Sequence, residues 1–197
     1  MALLQTSITS KLMVFLVGMI FSISAIAADF NQIQRLADQG NADAQSDLGM
    51  MYIEGDGVDQ DYAQALEWLK KAADQGNADA QHNLGVMYGV DGAYEDHAQA
   101  LKWYQKAANQ GKAESQFNLG MTYTYGVGVE QDHAQALKWY QKAANQGNAK
   151  AQFNLGMIYT YGMGVEQDHA IAKEWFGKSC DNGLQDGCVN YRILNQR

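Results

Sequence analysis

Proline is absent from this chain of 197 residues, and cysteine occurs only twice. Because proline breaks a helix interior, its absence is compatible with a chain of many short helices joined by glycine turns. Cations are also scarce, since 14 lysines and arginines stand against 22 aspartates and glutamates. The net charge of −8 argues against nucleic acids and anionic membrane surfaces as partners, because each of them needs a basic patch.

Long apolar runs are missing except near the N-terminus, where one run extends from Leu12 to Ala27 after a single cation, Lys11. At about 16 residues it is short for a bilayer span, and the small residues of Ala25-Ile26-Ala27 resemble a signal-peptidase site. The pattern predicts a signal peptide over residues 1–27, with an uncleaved N-terminal anchor as the alternative. We expect export to the periplasm, with extracellular release as the less favoured destination, and no membrane insertion after cleavage.

A block of about 36 residues recurs four times. Each copy contains a Leu-Gly pair, followed by tyrosine three positions after the glycine and then by a glycine-rich turn. Such self-similarity is the signature of a solenoid whose units bury their apolar faces against one another. We expect a capping helix at 28–36 and a capping half-repeat at 180–197. The four repeats between them are predicted at 37–72, 73–107, 108–143 and 144–179.

Each repeat is predicted to be a helical hairpin, so the chain is expected to be all-α. In the third copy, apolar residues at spacings of three and four place helix A over Ala113–Tyr125 and helix B over Asp132–Asn145. Gly120 lies in the middle of helix A, where a neighbouring helix is expected to leave no room for a methyl group. The second copy is one residue shorter, so its turn at residues 90–93 should follow a different path.

Several strings in the repeats resemble a known family. They are Ala-Gln-Phe-Asn-Leu-Gly-Met-x-Tyr at 151–159, Gly-Met-Gly-Val at 162–165 and Ala-Leu-Lys-Trp-Tyr-Gln-Lys-Ala-Ala at 136–144. The chain resembles the Sel-1-like repeats, which are relatives of the tetratricopeptide repeats. This resemblance implies a right-handed superhelical solenoid of α/α hairpins whose A helices line a concave surface. It also implies an adaptor or scaffold, often of the bacterial periplasm, and leaves the partner open.

Cys180 and Cys188 fall at the end of the last helix B and within the capping helix A, which a hairpin would bring together. In an exported chain this placement predicts a disulfide, and it is similar to the cysteine-rich members of the family. A metal or redox pair is the alternative, but the C-x-x-C spacing is missing.

The predicted partner site is the concave face of the A helices, which is expected to hold a protein or peptide ligand. Asparagine side chains can donate to and accept from an extended backbone, although they can equally join adjacent helices. Tyrosine offers contact area with a polar tip, although it can equally be buried. The candidate binding residues are Asn83, Asn118, Asn154, Tyr125 and Tyr161.

No catalytic, cofactor or metal site is expected. His97, His133 and His169 recur after the helix-capping aspartates, and equivalent positions of stacked repeats lie too far apart to share one zinc ion, so these histidines are interpreted as surface residues. No serine is followed three positions later by lysine. We therefore expect a non-catalytic, monomeric scaffold. The alternatives are an immunity or regulatory protein for an exported effector and, less favoured, a penicillin-binding or wall-modifying enzyme.

Overall fold

The computed structural model describes residues 29–89 and 92–196, and all regular structure in these ranges is α-helical. The predicted signal peptide therefore lies outside the described residues. Two compact units divide the chain, one ending at Ala80 and the other beginning at Gln81. The helices are α1 (29–38), α2 (Ala42–Glu54), α3 (Tyr62–Asp74), α4 (Ala78–Tyr88), α5 (His97–Asn109), α6 (Ala113–Tyr125), α7 (His133–Asn145), α8 (Ala149–Tyr161), α9 (His169–Asp181) and α10 (Gln185–Asn195).

The even-numbered helices are the A helices of the repeats, and α3, α5, α7 and α9 are the B helices. Each B helix begins after an aspartate whose side chain accepts hydrogen bonds from first-turn amides, as Asp132 does from Ala134 and Gln135 at 2.9 Å. The glycine after each B helix has a positive φ, which is +86° at Gly147. The helix A limits predicted for the third copy are those of α6, and its predicted helix B begins one residue before α7, at the capping Asp132. The all-α solenoid fold is confirmed.

In the unit that ends at Ala80, α2 packs against α3. The core contains Ala37, Ala44 and Leu48, with Phe30 meeting Tyr52 edge to face at 6.0 Å between ring centroids. Helix α1 thus covers the apolar side of the first hairpin.

In the unit that begins at Gln81, tryptophans of the B helices fill the space between successive repeats. Trp139 of α7 packs with Tyr104 of α5 and Leu119 of α6. Its indole also lies under the ammonium of Lys142, which is 4.2 Å from the ring centroid. Trp139 therefore packs between successive repeats.

The glycine of each Leu-Gly pair lies against a large side chain of its own repeat. A Cβ added at Gly120 would stand 2.4 Å from two ring carbons of Tyr140, and one at Gly156 would stand 2.6 Å from the Phe176 ring. Because a carbon atom cannot approach a ring so closely, these helix positions require glycine. The expected close helix crossing is confirmed.

A ladder of buried glutamines joins successive repeats. The side-chain amide of Gln116 donates to the Ala108 carbonyl at 3.1 Å, and its oxygen accepts from Gln146 at 2.8 Å. Gln152 makes the same donation to Ala144 at 2.9 Å. The Ala108 and Ala144 carbonyls also accept from the backbone amides of Gly111 and Gly147, so each glutamine is a second donor to the last turn of a B helix.

The disulfide occupies the same place in the last hairpin. Cys180 and Cys188 are bonded, eight residues apart, as are Ala144 and Gln152 in the ladder. The covalent bond therefore replaces the glutamine bond where the array ends. The predicted disulfide is confirmed.

The turn of the second repeat differs from the others, as predicted from its length. Gly126 ends α6 with a φ of +68°, whereas α4 is followed by Gly89 without a positive φ, and Glu95 takes a φ of +33°. Part of this turn, residues 90–91, lies outside the described ranges.

The C-terminal helix, α10, presents apolar side chains at its surface. Val189, Tyr191 and Ile193 of α10 are exposed. Arg192 stands at the position that Gly156 holds in α8.

Candidate binding surface on the A helices

The predicted tyrosines lie at the C-terminal ends of two successive A helices. Tyr125 ends α6 and is 68% exposed, and Tyr161 ends α8 and is 65% exposed. The alternative expectation, that these side chains are buried, is wrong. Helices α6 and α8 are in contact, and the two phenol rings are exposed at equivalent positions of these helices.

The asparagines stand two helical turns before the tyrosines, and they also join the A helices to the preceding B helix. Asn118 of α6 hydrogen-bonds the hydroxyl of Tyr104, and Asn154 of α8 does the same with Tyr140. Asn154 also donates to the sulfur of Met121 at 3.5 Å. These side chains are half-buried, as is Asn83 of α4. The Asn118 and Asn154 side chains thus hold the helices together and still reach the surface.

Burial raises the pKa of both partner tyrosines, Tyr104 and Tyr140, to about 12. Desolvation is the cause, and the hydrogen bonds to asparagine oppose it only in part. Both phenols are therefore neutral donors and acceptors at physiological pH.

A pocket of about 540 Å³ opens between α5, α6 and the end of α4. Its lining includes two of the predicted residues, Asn118 and Tyr125, together with Tyr104 of α5. Sequence reasoning missed the pocket. Its lining residues are Gly89, His97, Ala100, Tyr104, Phe117, Asn118, Met121, Thr122, Tyr125 and Val127.

Two of the three repeated histidines are partly covered by the following repeat, so the surface interpretation holds only in part for them, and the His97 side chain is 34% exposed. His97 and His133 are half-buried, and only His169 is exposed. A Cβ at Gly128 would stand 2.6 Å from the Cβ of His97, and Gly164 bears the same relation to His133. The sequence feature that could have predicted this packing is the glycine pair of the turn, because its second glycine leaves room for the histidine of the preceding repeat.

A serine and a histidine of successive A helices form a hydrogen-bonded pair, and the serine is buried. The hydroxyl of Ser115 lies 2.8 Å from Nδ1 of His82. Ser115 is completely buried, so a substrate has no access to the hydroxyl. Within residues 29–89 and 92–196, no group of three or more histidine, cysteine, aspartate or glutamate side chains could hold a metal ion.

The first repeat carries aspartate where the others carry the asparagine. The pKa of Asp47 is raised, mainly by desolvation and further by the nearby carboxylates of Asp43 and Asp79. An ionised carboxylate at this position therefore weakens the fold.

None of the helices that the structure describes is long and apolar enough to cross a membrane.

The chain matches the model of the Sel1 repeat at residues 42–77, 78–112, 113–148 and 149–184. No curated protein sequence matches it. Among solved structures, it is similar to a protective antigen of uropathogenic Escherichia coli strains that displays this repeat fold, with 42% identity and a TM-score of 0.81. That likeness covers 83% of this chain and 35% of the antigen.

A Sel1 repeat protein from Oxalobacter formigenes is 32% identical with a TM-score of 0.77, covering 82% of this chain and 66% of that one. Cysteine-rich protein B of Helicobacter pylori is 26% identical with a TM-score of 0.52, covering 63% of this chain and 95% of that one. The chain thus spans about a third of the antigen and about two thirds of the Oxalobacter protein. Its four repeats place it in the Sel1 repeat family.

Proposed function

We propose that this protein is a non-catalytic scaffold of the cell envelope that holds a protein or peptide partner on the A-helix surface of residues 81–197. Sel1 repeat proteins generally act as scaffolds for protein–protein interaction, which supports this class of function. The partner's identity is left to experiment.

The observation that carries the proposal is the exposure of Tyr125 and Tyr161 at equivalent positions of adjacent A helices. Large aromatic side chains are normally buried, and exposed tyrosines are enriched where proteins bind one another. Asn118 and Asn154 lie seven residues earlier on the same helices, about 10 Å away along the helix axis. An extended segment crossing α6 and α8 would meet an amide and a phenol on each helix.

The periplasm is the proposed location. The apolar run before Ala27 and the disulfide between Cys180 and Cys188 support export, because disulfides persist in oxidising compartments. Fractionation of producing cells, with intact mass measurement of the chain, tests this. A periplasmic species that lacks residues 1–27 supports the location, and a full-length species in the cytosol contradicts it.

The binding surface is tested by capture from periplasmic extract, followed by identification and reconstitution with the purified partner. The chain without residues 1–27 is compared with the double variant Tyr125→Ser/Tyr161→Ser. Both side chains are exposed, so this variant should fold normally. Tyr62→Ser is the matched control, because Tyr62 is also exposed but lies on a B helix.

We expect the double variant to weaken binding of the purified partner at least tenfold, since exposed aromatic contacts commonly supply more than 1 kcal/mol each. The control should bind like the wild type. Equal binding by all three proteins would contradict the A-helix surface, and stronger loss in Tyr62→Ser would move the site to the B helices.

A further inference from the structure

The pocket beside Tyr125 exists because two residues are smaller than their equivalents in other repeats. Gly89 ends α4 at the position where α6 and α8 have Thr124 and Thr160. Thr122 stands on α6 where the other repeats have Met51, Met87 and Ile158, all of them buried. Both small residues line the same pocket.

The next repeat shows what the missing side chain would do. The hydroxyl of Thr124 lies 3.1 Å from that of Tyr140, so threonine fills the space beside this ring and bonds its polar tip. A Cβ at Gly89 would stand 3.3 Å from the Tyr104 hydroxyl, which is the corresponding place. Without that threonine, the Tyr104 hydroxyl faces the pocket.

The walls of the pocket determine the chemistry of its occupant. Tyr104, Phe117 and Tyr125 supply aromatic rings, and Met121 supplies a thioether, a set of groups that favours contact with another aromatic ring. The Tyr104 hydroxyl and the Asn118 amide supply neutral hydrogen-bonding groups.

The composition of the lining argues against a charged occupant. Among the described lining residues there is no lysine, arginine, aspartate or glutamate. Apart from the imidazole of His97, whose Nε2 lies 4.0 Å from a carboxylate oxygen of Glu95, a charged side chain would find no counter-charge in this lining, and losing its hydration there is strongly unfavourable. The complementary ligand is therefore neutral, aromatic and able to form a hydrogen bond.

We propose that this pocket binds a tyrosine side chain of the partner and so selects partners with tyrosine at one position. A volume of about 540 Å³ lies within the range of pockets that enclose small molecules, and it can hold a phenol ring with adjoining peptide groups. This inference rests on the proposed function, because it names what the A-helix surface recognises.

The test uses N-acetyl-L-tyrosinamide as the probe, with N-acetyl-L-phenylalaninamide and N-acetyl-L-leucinamide for comparison, in NMR titrations of the chain without residues 1–27. We expect saturable shifts at the amides of Gly89, Thr122 and Tyr125. The tyrosine probe should bind at least threefold more tightly than the phenylalanine probe and at least tenfold more tightly than the leucine probe. Equal responses to all three probes, or no saturable shift, would overturn the proposal.

Two variants fill the pocket with residues that the chain itself uses at equivalent positions. Gly89→Thr restores the residue of the third and fourth repeats, and Thr122→Ile restores that of the fourth. Each should reduce binding of the tyrosine probe at least tenfold while the thermal midpoint stays equal or rises. Thr160→Ser, in the fourth repeat, is the control and should bind like the wild type.

Since the two filling variants act from different helices, a folding failure of one leaves the other as the test. Unchanged probe binding by a folded filling variant would overturn the pocket assignment. Binding of the purified partner separates this proposal from the proposed function. Tyr161 lies outside the pocket lining. If Tyr161→Ser loses binding of the purified partner while both filling variants keep it, the A-helix surface is supported and the pocket proposal is wrong. If all these variants bind the purified partner like the wild type, both the pocket proposal and the proposed A-helix surface are wrong.

Discussion

Replacing the helix glycine Gly120 by alanine should destabilise the protein, although alanine is the better helix former. Intrinsic propensity favours the change by about 1 kcal/mol. The added Cβ, however, would stand 2.4 Å from Cδ1 and Cε1 of Tyr140, a ring that is only 1% exposed. A normal contact needs roughly another 1 Å or more, so the ring or α6 must move inside a packed core, which commonly costs about 1–3 kcal/mol.

The matched control is Gly177→Ala, because Gly177 also lies within a helix, α9. Its added Cβ would stand 3.3 Å from the Tyr191 ring, which is 38% exposed and free to shift. We therefore expect Gly177→Ala to stabilise by up to about 1 kcal/mol. Gly120→Ala should lower the free energy of unfolding by up to about 2 kcal/mol, because about 1 kcal/mol of helix propensity offsets an overpacking cost of about 1–3 kcal/mol.

Urea unfolding followed by circular dichroism at 222 nm measures both variants, with equal slopes required before midpoints are compared. Equal or greater stability of Gly120→Ala, in parallel with Gly177→Ala, would refute the reasoning. It would mean that Tyr140 moves freely and that helix propensity alone decides the position.

Three further predictions follow from the described contacts. Asp47→Asn should stabilise the protein at pH 7, and the gain should vanish as the pH falls below the ordinary aspartate pKa of about 3.9, because protonation then removes the same charge. Unfolding measured over this pH range that shows no gain at pH 7 would count against it. The free energy of unfolding should fall between pH 10 and about 12, by on the order of 2 kcal/mol for each of Tyr104 and Tyr140, because the phenols ionise first in the unfolded chain. The double variant Tyr104→Phe/Tyr140→Phe should not show this loss of stability. The same loss in the double variant would contradict the assignment to these two phenols. Cys180→Ala/Cys188→Ala should destabilise the protein by about 2–3 kcal/mol, because the disulfide is lost. Cys180→Ala/Cys188→Gln should recover about 1 kcal/mol of this, because the new glutamine can donate to the backbone carbonyl of residue 180 as Gln152 does to Ala144. Equal denaturation midpoints of the two double variants would show that this hydrogen bond contributes nothing.

Local chemistry explains why the helices could be predicted so closely. The stretch Ala113–Tyr125 carries its own periodicity, and Asp132 and Gly147 mark helix ends through hydrogen bonding and positive φ, which depend only on nearby residues. Each of these patterns occurs in several repeats, which strengthens the prediction drawn from it. The Leu-Gly pair occurs in all four repeats and therefore already indicated a close helix crossing. The disulfide was predictable for the same reason, because the hairpin fixes the distance between Cys180 and Cys188.

Other features depended on which repeats meet in space. Gln116 has the same sequence context as its equivalents, but only stacking shows that it spans from Ala108 to Gln146. His97 looked like a surface residue because the glycine that covers it, Gly128, is 31 residues away. Exposure of Tyr125 was likewise undecided until the end of α6 was placed.

The sequence by itself determined the all-α repeat, its helix ends and its final disulfide, because each depends on the backbone preferences of neighbouring residues or on one hairpin. Only the tertiary structure brought Gly89 and Thr122, 33 residues apart in the sequence, to the same pocket and turned the Tyr104 hydroxyl towards it. A cavity is space left between elements, and its volume depends on how side chains from different repeats fill that space.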